Sequence, residues 1–216
     1  MQATIKAPAP GLENGAVMTR DEFHTLYSRC EGLERVELIE GVVYLPSPIR
    51  FESHAEPQAL VLDWLRAYAA GRPGLRAAGP ASVLLDERNE PEPDAMLLRT
   101  TPGWLSEDGY IAKAPELVVE IAFSTHSRDL NQKKRAYERN GVREYIVWRT
   151  EEGAIDWFEL RDGVYVAREP DERGRIESRE FPGLVLDLRA MLANDRAAVL
   201  RALGQAGQGR STSRPQ

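Results

Sequence analysis

The stretch PELVVEIAFSTHSRDLNQKKRAYERNGVREYIV, residues 115–147, decides the fold. Its opening, ELVVEIAF (116–123), is hydrophobic on both faces apart from one acid, Glu120. That is the pattern of a central strand covered on both sides. A basic helix near 127–140 follows, stopped by Asn140-Gly141. REYIVWR (143–149) is then another buried strand. Strands and helices mix around a buried sheet, which defines an α/β class.

Upstream lie two more short apolar runs, ASVLLDE (81–87) and DAMLLR (94–99). Leu60, Val61, Trp64, Leu65 and Tyr68 recur with a 3.6 period, predicting a helix over 53–70 that ends at Gly71 and Pro73. RVELIEGVVYLP (35–46) reads as two short strands joined at a turn or bulge around Gly41. Thr19 and Glu22 have capping-box spacing before Phe23, Leu26, Tyr27 and Cys30, predicting a helix over 20–31. Downstream, AIDWFELRDGVYVARE (154–169) reads as a hairpin turning at Asp162-Gly163. Residues 1–17 are expected to be a loose Ala/Pro/Gly arm and 204–216 a disordered tail, leaving one folded domain over 18–203.

The chain's 216 residues suffice for one domain with its own core. A single cysteine, Cys30, excludes an internal disulfide and suits a reducing cytoplasm. No apolar signal region opens the sequence, and no stretch approaches a membrane span. The net charge of −6 does not mark the whole surface for nucleic acid. Locally the balance reverses. Between Arg128 and Arg143 six basic residues face two acidic ones, Asp129 and Glu138. That run is either a solvated helix face or a patch that meets phosphates.

Glu120 carries the chemistry. A charge inside VVEIAF must be paired or bound to a metal. The plain alternative is a sheet-end acid paired with an arginine. Asp94 opens the neighbouring run after the extended Glu90-Pro91-Glu92-Pro93 segment, and alone could be a turn or cap residue. Together, two acids on adjacent central strands could share one hard cation such as Mg²⁺. No glycine-rich phosphate loop and no zinc spacing is present. His24 and His126 read as solvated polar residues, and Cys30 as packing.

Pro93-Asp94, Glu120 on a buried strand and a lysine-bearing helix resemble the PD-(D/E)XK nuclease superfamily, and within it the Uma-two family. The likeness runs through VELIEGVVYLPSP (36–48), PDAMLL (93–98), residues 115–147 and FPGLVLDL (181–188). It implies a restriction-endonuclease-like mixed sheet flanked by helices and metal-dependent cleavage of phosphodiesters. Where the superfamily places its lysine, two residues after the glutamate, this chain has Ala122. A D-x-x-x-K pattern on the following helix is matched by Asp129 and Lys133. Ile146-Val147-Trp148-Arg149 stands where the family's strand ends in Asp-Pro.

Carried onto this sequence, the resemblance implies that Asp94, Glu120 and Lys133 are catalytic. Asp94 and Glu120 would hold Mg²⁺ or Mn²⁺, with the Ile121 carbonyl and Glu37 as further ligands. Glu37 could equally be a surface acid. His54 opens the second helix and would contact a phosphate or the attacking water, or cap the helix. Arg128, Lys134, Arg135 and Arg139 would bind nucleic acid. Helical geometry leaves Lys133 and Lys134 both able to reach inward beside Leu130 and Tyr137; the D-x-x-x-K spacing selects Lys133. The expectation is a Mg²⁺-dependent endodeoxyribonuclease, a cytoplasmic homodimer. The alternative is a catalytically inactive nuclease-fold module binding nucleic acid or a protein.

Overall fold

A computed structural model describes residues 11–30, 32–123 and 126–208. Helix α1 (Arg20–Tyr27) opens on the capping box: the Thr19 hydroxyl accepts from the Glu22 N–H, and the Glu22 carboxylate accepts from the Thr19 N–H. It ends short of the expected boundary, and Cys30 lies beyond it with its thiol donating to the Leu26 carbonyl. Strands β1 (Glu37–Ile39) and β2 (Val42–Tyr44) form an antiparallel ribbon. It turns through Glu40 and Gly41, with φ of 55° and 77°, the paired positive values of a tight hairpin. The left-handed backbone at Gly41 favours glycine, and a Cβ there would lie 2.5 Å from the Arg88 guanidinium, which would have to shift.

The ribbon corrects the expectation of a loose arm. Leu12 is fully buried with Phe23, Val36, Leu38 and Val43, and Val17 bridges Val42. This small core needs Leu12 as its lid. Residues 1–10 lie outside the described residues. A π-helical turn, Phe51–Ala55, then leads into α2 (Glu56–Ala69), which buries Leu60, Val61, Trp64, Leu65 and Tyr68 as their period requires.

The main sheet takes β3 (Leu75–Ala78), β4 (Ala95–Arg99) and β5 (Leu117–Ala122). Residues 81–87 stay outside it: Val83 is buried but makes only an isolated bridge to Ile111 and one bond to the Pro91 carbonyl. The helix expected over 127–140 is interrupted. It consists of α3 (His126–Arg128), a π-helical turn Asp129–Lys133, and α4 (Lys134–Arg139). Then come β6 (Glu144–Arg149) and the hairpin of β7 (Ala154–Arg161) and β8 (Val164–Ala167), turning at Asp162-Gly163 as expected. A ribbon of β9 (Arg175–Glu177) and β10 (Val185–Asp187), with α5 (Leu188–Leu192) and α6 (Arg196–Gln208), closes the fold. Helix α6 runs beyond residue 204, where the tail was expected to begin; residues 209–216 lie outside the described residues.

The six strands stand in the order β3-β4-β5-β6-β7-β8. Neighbours are antiparallel except β5 and β6, whose parallel pairing needs the α3–α4 crossover. The fold is therefore a mixed α/β domain, a six-stranded sheet flanked by helices. One face packs Val119, Ile121, Ile146 and Trp157 against α2, α5 and α6. The other packs Val118, Ala122, Tyr145 and Val147 against Tyr137 and Val142. Both faces of β5 are covered, as its sequence demands. Among the described residues no helix is long and apolar enough to cross a membrane.

Candidate active site

The β4–β5 register pairs Ala95 with Val119 and Met96 with Val118. Extended by one residue, it sets Asp94 opposite Glu120, just before β4 and on the face covered by the crossover helix. Like charges directly opposed on adjacent strands are destabilising. Both carboxyl groups are nonetheless buried, each 3% exposed. The surrounding groups explain how.

Asp94 is clamped. Its Oδ1 accepts from the Arg35 guanidinium and faces His54 Nε2 at 3.0 Å, while Oδ2 accepts from the Ile121 N–H at 2.8 Å. Gln58 donates to its backbone carbonyl. Burial pushes the Asp94 carboxyl up. The His54 hydrogen bond, the charges of His54 and Arg35 and the Ile121 N–H outweigh it, holding the group below the usual range. Arg35 reaches it from a left-handed backbone, φ 62°, uncommon for a residue with a side chain.

Glu120 has a different environment. Its Oε1 accepts from Lys133 Nζ at 2.9 Å and from the Tyr137 hydroxyl at 2.8 Å. Burial raises this carboxyl most; Lys133 draws it down, and Asp94, Glu37 and Asp129 push it back up, to about 8. Lys133 stands between carboxylates, 2.7 Å from Glu37 Oε1 and 3.9 Å from Asp129 Oδ1. Burial would strip its proton. Glu120, Glu37 and Asp129 overcome that and hold it above the ordinary lysine value. These neighbours favour the charged form of Lys133.

Helix geometry left Lys133 and Lys134 undecided, and the π-helical turn separates them. Lys133 ends that turn and enters the site. Lys134 begins α4 and lies 3.7 Å over the Phe158 ring, away from the carboxylates. The other basic residues also divide. Arg128 lines the cavity, its guanidinium 4.8 Å from the Tyr44 ring centre and 3.7 Å from Glu37. Arg135 is exposed, and Arg139 is exposed and pairs with Glu40 at 2.6 Å. His54 sits in the turn before α2, on Asp94. His24 differs from its expected solvated state: its Nδ1 lies 2.9 Å from the buried Glu90. The His126 side chain lies outside the described residues.

Asp94, Glu120, Ile121, Lys133, Glu37, His54, Arg35 and Arg128 all line one open cavity of about 390 Å³. Its floor can be tested for a hard cation by its lone pairs. Each carboxylate oxygen has about two acceptor sites. The described bonds fill those of Asp94 Oδ1 and Glu120 Oε1, and leave one on Oδ2 and both on Oε2. Within a strand the N–H and C=O of one residue face the same side, so the Ile121 carbonyl turns toward Asp94 with its N–H. Among the described residues no three His, Cys, Asp or Glu side chains gather as a metal cluster. Two carboxylates and a carbonyl suit Mg²⁺, which keeps several of its waters. The donors fit.

Sequence reasoning missed Arg35, Tyr137 and Gln58 as site residues. Tyr137 had a signal: it follows Lys133 by one helical turn and shares its face. Arg35 and Gln58 had none, since only the tertiary fold brings them to Asp94.

The fold is a mixed α/β sheet with two opposed acids at one end and a lysine supplied from the crossover helix. Residues 20–189 match the Uma2 family, described as "Putative restriction endonuclease", and the chain belongs to that family. Its structure is similar to that of a "putative nuclease belonging to DUF820" from Anabaena variabilis. The TM-score is 0.63 at 16% identity, over 82% of this chain and 98% of that one. That likeness is one of fold. No curated protein matches the chain.

Proposed function

We propose that the protein is a divalent-metal-dependent endonuclease that hydrolyses phosphodiester bonds in DNA. The observation that carries this reading is the opposition of buried Asp94 and Glu120 on the cavity floor, with Lys133 on Glu120. Asp94, Glu120 and the Ile121 carbonyl would hold Mg²⁺ or Mn²⁺. When bound, such a cation polarises the scissile phosphate and lowers the pKa of the attacking water.

The chain's own residues do the rest. Lys133 stays protonated between Glu37 and Glu120, so it can orient the water and neutralise charge developing on the phosphate. Glu37 holds Lys133 in place, and itself accepts from the Glu92 N–H at 2.9 Å. The Tyr137 hydroxyl fixes the Glu120 carboxylate from below. Arg35 and His54 fix Asp94, and Arg128 presents positive charge at the wall. Arg135 and Arg139, exposed on the crossover helix, add to the attraction for a phosphate backbone. By the family resemblance the working unit is a cytoplasmic homodimer, which light scattering on the purified protein tests for assembly.

The test is incubation with supercoiled plasmid in Mg²⁺, in Mn²⁺ and in a chelator. Nicking that requires the metal and disappears in Asp94→Asn and Glu120→Gln supports the reading. No nicking, together with no rise in melting temperature on adding metal, replaces it with the inert binding module.

A further inference from the structure

Two arginine–aromatic stacks flank the cavity above the carboxylates. The Arg50 guanidinium lies 4.6 Å from the Phe123 ring centre, and that of Arg128 lies 4.8 Å from the Tyr44 ring centre. All four residues line the cavity. Stacking fixes a guanidinium plane while leaving its edge N–H groups free to donate, the arrangement suited to a phosphate. Among the described residues no carboxylate pairs with Arg50.

Two buried donors in the same cavity wall also lack acceptors. Ser53 Oγ and Arg128 Nε are both enclosed and, among the described residues, make no hydrogen bond. Arg50 immediately precedes the turn that carries Ser53, and Arg128 faces it from the crossover helix across the cavity. Next to Arg50 in the chain, Phe51 is 70% exposed, and Ile49 on the other side of Arg50 is exposed and lines the cavity.

We propose that this mouth is the binding track for a single strand of nucleic acid. Arg50 and Arg128 grip the phosphate next to the one being cut, and Phe51 stacks on an unpaired base. The inference rests on the nuclease reading and adds the strandedness of the substrate. A duplex has its bases already stacked and offers Phe51 no free face; a single strand offers one at every nucleotide. The acids are recessed beneath the mouth. A flexible strand can lower a phosphodiester between the two arginine stacks, whereas a stiff duplex must first be deformed.

The experiment measures anisotropy of the full chain with a labelled single-stranded oligodeoxynucleotide and with its duplex, both in chelator, so that no turnover occurs. The single strand binds more tightly. Phe51→Ala weakens it by about five- to a hundredfold, as loss of one base stack does, and Phe51→Tyr restores it. Arg50→Ala flattens the slope of log affinity against log salt by about 0.7. Duplex binding as tight as single-strand binding, or indifference to both alanine variants, overturns this inference. Metal-dependent plasmid nicking would then still stand. Absence of both binding and nicking removes the nuclease reading together with it.

Discussion

Replacing Lys133 with Met removes the ammonium that Glu37 and Glu120 share, while keeping a side chain of similar length. The lysine lies 2.7 Å and 2.9 Å from those carboxylates, and all three residues are buried. Taking one partner from a buried pair costs about 3–5 kcal/mol, because the other charge is left uncompensated. For a chain of this size that lowers the melting temperature by roughly 6–20 °C. The loss must depend on pH. Without Lys133, Glu120 loses the attraction that draws its pKa down and sits above the value of about 8 that it holds with the lysine. An acid raised in the folded state binds more protons there than in the unfolded chain, so stability falls as pH rises from the ordinary 4.5 through the folded value. The deficit is therefore smallest near pH 5 and grows past pH 8. Urea unfolding in chelator at pH 5, 7 and 9, followed by the fluorescence of buried Trp64 and Trp157, reads it directly. Adding Glu120→Gln to the variant recovers part of the loss at high pH. A deficit equal at all three pH values, or below about 1 kcal/mol at pH 9, refutes the shared-charge argument.

Asp94→Asn abolishes the metal-induced rise in melting temperature and costs the metal-free protein about 1.5–3 kcal/mol, since the charged bonds from Arg35 and His54 weaken. Because Asp94 is held below its usual pKa, that contribution is present above about pH 4 and lost as pH falls through the folded value; acid titration of both proteins checks this. Lys133→Ala lowers plasmid nicking by about 10²–10⁴-fold, while Lys134→Ala leaves it within about twofold; reversal of that order would reassign the lysine. Tyr137→Phe strips one donor from Glu120 and costs about 1–2 kcal/mol in denaturant unfolding. Gly41→Ala destabilises by at least about 1–2 kcal/mol, from its left-handed backbone and the Arg88 contact, measured the same way.

Glu120 was legible because a charge within VVEIAF violates the rule for a strand covered on both faces, and burying that strand confirmed the pattern. Asp94 was legible only beside it. The choice of Lys133 came from spacing, since periodicity assumes a uniform helical step and the π-helical turn breaks that step at this point. Short elements escaped: LRAA (75–78) has little β preference, yet pairs with β4 because the sheet edge needs a neighbour. The ends of the folded region were misjudged where composition was the only guide. Ala- and Gly-rich sequence still yielded a packed Leu12 and the helix α6. Arg35 reaches Asp94 across 59 residues, a contact that no local pattern records.

The division of the site between two layers has a consequence for how it comes into being. Strand β5 brings Glu120, and the crossover helix brings Lys133 and Tyr137, the two donors that meet it. Packing the helix on the sheet is thus also the step that gives buried Glu120 its cation. A helix displaced by even one turn would strand Glu120 among apolar side chains, so electrostatics resists slippage that the apolar contacts of Tyr137 and Leu130 alone would tolerate. The groups needed for chemistry serve, before any substrate arrives, as the pins that align the two layers.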